Sequence, residues 1–317
     1  MAKNICLILL LTCMFSDGFT ILEDHFKKIG VKPIYYKMDG VDFIYMINLD
    51  QRPEKFQMSQ DQLLPYGINP YRFSAVNGWE LSLETILDVG VQYGPGMLEG
   101  IVGTTFECDV NGVSFSVDEP IEYYGRTYFC HKTSKGCIGI ALSHLSVLQD
   151  AYESGYETIW VMEDDIKVLQ DPTVLTSLIE QLDLEIGKTW DVLFTDRDIK
   201  GANGLYVPSY GYASRPNFFT AKLERFYDRP NVGDHFRKIG SRFGAHSMII
   251  RRSGIEKILE FMKDHHIFLP YDMEYYLPNN IQMYTVLDDV VGNLTNSLSD
   301  NGSPYYLEKL DFEGNAP

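Results

Sequence analysis

No apolar run in the 317-residue sequence reaches the length of about 20 residues that a membrane-crossing helix requires. Basic residues are also in short supply. Twenty-seven Lys and Arg stand against 44 Asp and Glu, for a formal net charge of −17. Such a surface repels nucleic acids and anionic membranes, which excludes both as main partners. An anionic small substrate then needs local help from arginine, lysine or a metal ion. Cysteine is scarce, at five residues with no CxxC or His/Cys zinc spacing among them. The sequence has no G-x-S-x-G nucleophile signature, no internal repeat and no low-complexity tract.

Hydrophobic residues make up 45% and charged residues 22%, enough for the core of one large α/β domain or two small ones. The 21 Tyr and 18 Phe serve either as core or as walls of clefts for flat or ring-shaped ligands. Residues 1–18 are expected to be a secretory signal peptide: Lys3, a short apolar run from Ile5 to about Phe15, then Ser16, Asp17 and Gly18. Residues 19–317 would form a single domain working in a secretory lumen, in a periplasm or outside the cell. Cys6 and Cys13 fall in the leader. Of Cys108, Cys130 and Cys137, an oxidising compartment would pair two, with Cys108–Cys130 the expected bridge. Asn293-Leu-Thr and Asn301-Gly-Ser are sequons.

From Val41 onward strands alternate with helices. "VDFIYMINLD" is a β-rich run, and Pro53 opens a helix through about Leu64. "PYRFSAVNG" is a second strand closed by an Asn-Gly turn. The stretch Leu83–Lys135 shows no helical period and is expected to be an inserted segment of loops and short hairpins. Ile138, Leu142, Leu145, Leu148 and Tyr152 fall at helical spacing, with Gly155 ending the helix. Thr158–Met162, "WDVLFTD", "AHSMIIR" and "NIQMYTVL" are further strands, and "PTVLTSLIEQLDLEIG" and "SGIEKILEFMKDHH" are helices. The alternation predicts a mostly parallel central sheet with helices on both faces. Ligands of such sheets gather at the carboxyl ends of the strands. Asn48–Arg52, Glu163–Asp165 and Thr195–Asp198 are the polar strand ends.

The densest of these is "WVMEDDIKV". In an extended chain Glu163 and Asp165 point the same way and Asp164 the other. Carboxylates suit Mg²⁺ or Mn²⁺, and a few of them plus a diphosphate form a common way to hold such a cation. An acidic turn or helix start explains the triplet equally well.

"IYMINLDQRPEKF", "YRFSAVNG", "GCIGIALSHLSVL" and "IWVMEDDIKV", in that order, together resemble glycosyltransferase family 25, as do "FGAHSMIIRRSGIEKIL", "PYDMEY" and "SLSDNG" further on. That family includes bacterial lipopolysaccharide sugar transferases and collagen galactosyltransferases. The resemblance implies a GT-A-type nucleotide-sugar-binding fold, a UDP-sugar donor, Mn²⁺ or Mg²⁺, and inverting transfer of a hexose, galactose foremost, to a hydroxyl. The acceptor would be a glycan, a lipid-linked glycan such as lipopolysaccharide, or a protein. Asn48, Arg52, Asn77, Ser143, His144 and Asp164 would then line the donor site. Glu163 and Asp165 would hold the metal, and Asp272 would be the catalytic base beside Asp165. Asp300 and His246 are further candidates for closing the site. The chain departs from the family pattern at "TDRDIKG", which adds Asp196 and Asp198.

Inversion needs one base to take the acceptor proton, and no nucleophilic side chain. Two other classes compete. One is a secreted, catalytically silent relative that binds a glycan or a partner; the other is a metal-dependent glycosidase or phosphatase, which paired carboxylates would suit.

Overall fold

The structure is a computed structural model that describes residues 22–33, 36–220, 222–295 and 297–307. The expected signal peptide, 1–18, lies outside the described residues. A short 3-10 turn, Leu22–His25, leads into a segment that crosses one of the main helices, where the Lys27 N–H donates to Ser146 Oγ at 2.8 Å.

β1 (Phe43–Asn48) is buried along its whole length, as a strand covered on both faces must be. Pro53 sits at the start of α1 (Pro53–Leu63), where its missing N–H costs nothing. β2 (Tyr71–Ser74) runs parallel to β1. α2 (Leu83–Val89) follows, started by Ser82, whose side chain accepts from the Thr85 N–H. β3 (Val91–Gln92), β4 (Val102–Cys108), β5 (Ser114–Pro120) and β6 (Thr127–Cys130) form a separate antiparallel sheet in the order β3-β6-β4-β5. The stretch expected as loops and short hairpins is therefore an ordered helix and sheet. Its period-2 pattern hides because Thr, Ser and Gly occupy many strand positions, and because β4 and β6 bury runs of consecutive residues while β5 is mostly exposed.

α3 (Lys135–Glu153) is capped by Ser134, which accepts from the Cys137 N–H. Its buried stripe ends at Ala151, and Tyr152 is exposed. β7 (Thr158–Glu163), β8 (Ile166–Val168), α4 (Val174–Ile186) and β9 (Val192–Phe194) come next. β10 (Asn231–Val232), β11 (Phe236–Ile239), β12 (Ser247–Arg251), α5 (Arg252–His265), β13 (Met283–Val286) and β14 (Val291–Asn293) complete the chain.

The main sheet has eight strands in the order β10-β11-β13-β9-β12-β7-β1-β2. The expected parallel sheet is mixed: β1–β2, β1–β7 and β9–β13 pair parallel, while β12 and β11 run against their neighbours. Reversing β12 places its start, rather than its end, beside the carboxyl end of β7. Segments from both strand directions thus meet at one edge.

Period-2 alternation gives the sheet two cores. Phe43, Tyr45 and Ile47 face α3, α5 and the smaller sheet. Ile44, Met46, Trp160 and Met162 face α1 and α4 through Leu63, Leu175, Ile179 and Leu182. Each such side chain contributes about 1.5–3 kcal/mol when fully buried. Among the described residues, no helix is long and apolar enough to cross a membrane.

The expected Cys108–Cys130 bridge is not formed, and all three described cysteines are free. Cys130 pairs with Gly103 on β4. Cys108 lies five residues further along that strand, about 17 Å away at about 3.4 Å per residue, far beyond disulfide reach.

Candidate active site

Three cavities of about 100, 260 and 830 Å³ adjoin along the edge where β1, β2, β7 and β9 end and β12 begins. The inner and middle cavities share Glu163 and Asp165. The middle and outer cavities share Gly244 and His246. The acids thus stand between two compartments, as a reacting centre between two substrates would.

Glu163 ends β7, and a turn rather than extended chain carries Asp164 and Asp165 into β8. All three acids line the inner cavity, and only Glu163 and Asp165 reach the middle one. The turn is pinned from two sides. Ser59 Oγ on α1 donates to the Asp164 carbonyl at 2.7 Å, and the Leu294 N–H donates to the Asp165 carbonyl at 2.8 Å.

The three carboxyls differ in their surroundings. Burial works against the charge on Glu163, but the hydrogen bond and charge of His144 win and hold its carboxyl below the usual range. His144 Nε2 lies 3.1 Å from Glu163 Oε1, and its ring stacks on Tyr271 with centroids 4.2 Å apart. Burial pushes Asp164 up to about 7, although Asn48 Nδ2 donates to its Oδ2 at 2.6 Å. Burial and the neighbouring Glu163 charge push Asp165 up to about 6. Asp165 Oδ1 is buried and has no hydrogen-bond partner. A buried, partnerless carboxylate oxygen is costly and calls for a cation.

Among the described residues, no group of three or more His, Cys, Asp or Glu is placed to hold a metal ion. Two carboxylates, one with an orphaned oxygen, nevertheless fit a cation whose remaining ligands are water and phosphate oxygens.

Asn48 is a hub. It donates to the Arg52 carbonyl at 2.8 Å and to Asp164, and accepts from Arg72 Nε at 2.7 Å. Arg52 is buried against acids: its NH1 donates to Asp300 Oδ2 at 2.7 Å and its Nε to Glu54 at 2.9 Å. The cation lining the inner cavity is instead Lys55, three residues on, whose Nζ donates to the Leu298 carbonyl at 2.6 Å. The sequence motif pointed to Arg52, which precedes α1 in non-helical backbone, whereas Lys55 lies within the first turn of the helix.

Asn77 lines the inner cavity, accepting from the Trp79 N–H and donating to Tyr306 Oη at 2.9 Å. Ser143 Oγ donates to the Gly139 carbonyl and accepts from the Val76 N–H at 2.8 Å. That bond seats the 75–79 loop on α3. Glycine makes the seat possible: a Cβ on Gly78 would lie 1.9 Å from the Lys135 carbonyl oxygen, and one on Gly139 2.5 Å from the Gly78 nitrogen. Trp79 Nε1 donates to the Asp300 carbonyl at 2.7 Å, which fixes the indole at the cavity wall. Lys55, Trp79 and Arg72 were missed as site residues, although all three lie in or beside the quoted motifs.

Asp272 lines the middle cavity. Its Oδ2 accepts from the Gly244 N–H at 2.9 Å, and burial pushes its carboxyl up. Asp196 Oδ2 lies 3.0 Å from His246 Nε2 and accepts from Arg242 at 3.1 Å. Burial opposes its charge, yet Arg242 and His246 hold it below the usual range. Asp198 pairs with Arg229 at 2.6 Å. The sequon residues Asn293 and Asn301 both line the middle cavity.

A mixed α/β sheet with acids, an amide hub and a glycine-built loop at one edge is the setting in which the comparisons fall. The sequence profile of glycosyltransferase family 25 (LPS biosynthesis protein) matches residues 41–274, and the chain belongs to that family. A glycosyltransferase 25 family member of Aedes aegypti is 27% identical over 208 residues, covering 62% of this chain and 29% of that protein. One of Drosophila melanogaster is 29% identical over 146 residues, covering 46% and 19%. A human relative named inactive glycosyltransferase 25 family member 3 is 26% identical over 185 residues, covering 55% and 26%. The chain therefore spans less than a third of the length of these relatives. The crystal structure of A197 from STIV overlaps 48% of the chain at 14% identity with a TM-score of 0.27, too slight a likeness to bear on the fold.

Proposed function

We propose that the chain is a metal-dependent inverting glycosyltransferase of GT-A type. It moves a hexose, galactose foremost, from a UDP-sugar to a hydroxyl of a glycan, lipopolysaccharide or protein acceptor, in a secretory lumen, in a periplasm or outside the cell. The orphaned, buried Oδ1 of Asp165, between the inner and middle cavities, carries this reading. Glu163 and Asp165 would hold Mn²⁺ or Mg²⁺. When bound, the cation neutralises charge on the departing diphosphate.

The chain's own residues do the rest. Trp79 offers a flat face to the base of the donor, and Asn77, Asn48 and Ser143 hold the loop and turn that shape its seat. Lys55 brings positive charge to the diphosphate side. His144 keeps Glu163 ionised and oriented. Asp272 takes the acceptor's proton as its oxygen bonds to C1 and the bond from C1 to the diphosphate oxygen breaks. Arg52 acts as a positioning residue, tying the start of α1 to the 299–301 loop.

Similarity to a relative named inactive supports a second reading, a catalytically silent glycan- or partner-binding protein. Quenching of Trp79 fluorescence by UDP, with and without Mn²⁺, and turnover of UDP-hexoses separate the two. Mn²⁺-dependent binding with turnover is expected, and Asp165→Asn should abolish both while leaving the melting temperature unchanged or raised. Binding without turnover of any UDP-hexose supports the silent protein. Mn²⁺-dependent binding that survives in Asp165→Asn would refute the metal assignment.

A further inference from the structure

The wall of the outer cavity carries two cations without an acid partner among the described residues, in a protein whose total charge is strongly negative. Each acid on its wall already has an arginine. Asp196 accepts from Arg242 at 3.1 Å, Asp198 from Arg229 at 2.6 Å, and Asp289 from Arg197 at 2.9 Å. Lys200 and Arg237 remain on the same wall, and among the described residues neither is in an ion pair with a carboxylate. Both sit over the Tyr206 ring, with Lys200 Nζ at 4.9 Å and the Arg237 guanidinium carbon at 4.2 Å from its centroid. Asn231 Oδ1 accepts from Arg237 Nε at 3.0 Å. An aromatic ring thus braces two cations side by side, with their remaining donors unclaimed by acids.

We propose that this cavity recognises an acidic saccharide, a sugar bearing a phosphate or carboxylate, as the acceptor, with Lys200 and Arg237 as the residues that select it. The inference rests on the transferase assignment for its meaning as an acceptor site. Cavity order supports it: the outer cavity opens through Gly244 and His246 into the middle cavity that Asp272 lines. An acceptor anchored there by its anion places its hydroxyl toward the base. The volume of about 830 Å³ has room for more than one sugar ring. Charge also decides between acceptors. A neutral glycan offers these cations only hydroxyl acceptors, whereas a phosphate or carboxylate adds the attraction of opposite charges and shorter, stronger hydrogen bonds.

Calorimetric titration of the full chain with glucose, glucose 6-phosphate, glucuronate and inorganic phosphate tests the proposal. Glucose 6-phosphate or glucuronate should bind at least about tenfold more tightly than glucose, and the stronger of the two identifies the anion. Lys200→Gln with Arg237→Gln should remove that preference, while Arg237→Lys keeps most of it and shows that charge rather than folding is responsible. Mn²⁺-dependent UDP binding should be unchanged in all of these variants. Equal affinity for glucose and both acidic sugars, or an undiminished preference in the double variant, would overturn the proposal. Inorganic phosphate binding as tightly as glucose 6-phosphate would overturn its saccharide part. Failure of the transferase assignment reads differently, as absent UDP-hexose turnover with the anion preference intact.

Discussion

Replacing Arg52 by leucine separates a donor-binding arginine from a structural one. The guanidinium and the Asp300 carboxylate each retain 6% exposure, and Asp300 Oδ1 accepts only the Tyr306 N–H besides. Removing Arg52 strands a buried carboxylate with one neutral donor. Breaking a buried pair from one side typically costs 3–5 kcal/mol. Because Asp300 borders a cavity that admits water, the expected cost is at the low end, about 3 kcal/mol. At about 2.1 cal/mol/K per residue over about 300 residues, that corresponds to a fall of about 5 °C in melting temperature. Asp300→Asn should cost less, since Arg52 keeps Glu54 at 2.9 Å. Arg52→Leu combined with Asp300→Leu should recover much of the loss, as apolar replacement of a whole buried pair often does. Thermal unfolding followed by circular dichroism, together with the double-mutant cycle, measures each term. A melting temperature within about 1 °C of the parent for Arg52→Leu, with UDP affinity lost, would refute this account and return Arg52 to the diphosphate.

Asp272→Asn should lower kcat by about 10²–10⁴-fold with donor and Mn²⁺ affinity nearly unchanged, because base catalysis acts only in the transition state. Since the base must be ionised and burial raises its pKa, kcat should climb with pH through a midpoint above the ordinary carboxylate range, and a midpoint at the ordinary value would count against Asp272. Gly139→Ala should cost about 1–3 kcal/mol or more and unseat the 75–79 loop, read as altered Trp79 fluorescence, because its Cβ would meet only backbone atoms at 2.5–2.8 Å. Gly30→Ala, with nothing within 4 Å, is the control expected to change little.

β1, β7 and α3 were legible because each carries a long apolar pattern set by burial on both faces or along one stripe. The direction of β12 was not, since "AHSMIIR" has the same composition whichever way it runs. The segment 83–135 escaped because β5 is mostly exposed and small polar residues carry much of the pattern. At the site, the sequence brought together Asn48, Asn77, Ser143, His144 and the three acids, all of which line the inner cavity. It assigned the cation to Arg52 and passed over Lys55, because the choice depends on where Asp300, 248 residues away in sequence, arrives in space. Likewise, no spacing rule showed that Asp196 would meet His246 and Arg242.

The backbone-to-backbone seat formed by Gly78 and Gly139 bears on how the protein can be redesigned. Where the wall is built from main chain there are no side chains to exchange, so substitutions at these two glycines would mostly return misfolded clones. The outer cavity is walled by side chains, among them Lys200, Tyr206, Arg237 and Phe243. The lining of the outer cavity is therefore what directed evolution can reshape freely, whereas the glycine seat beside the inner cavity will resist change.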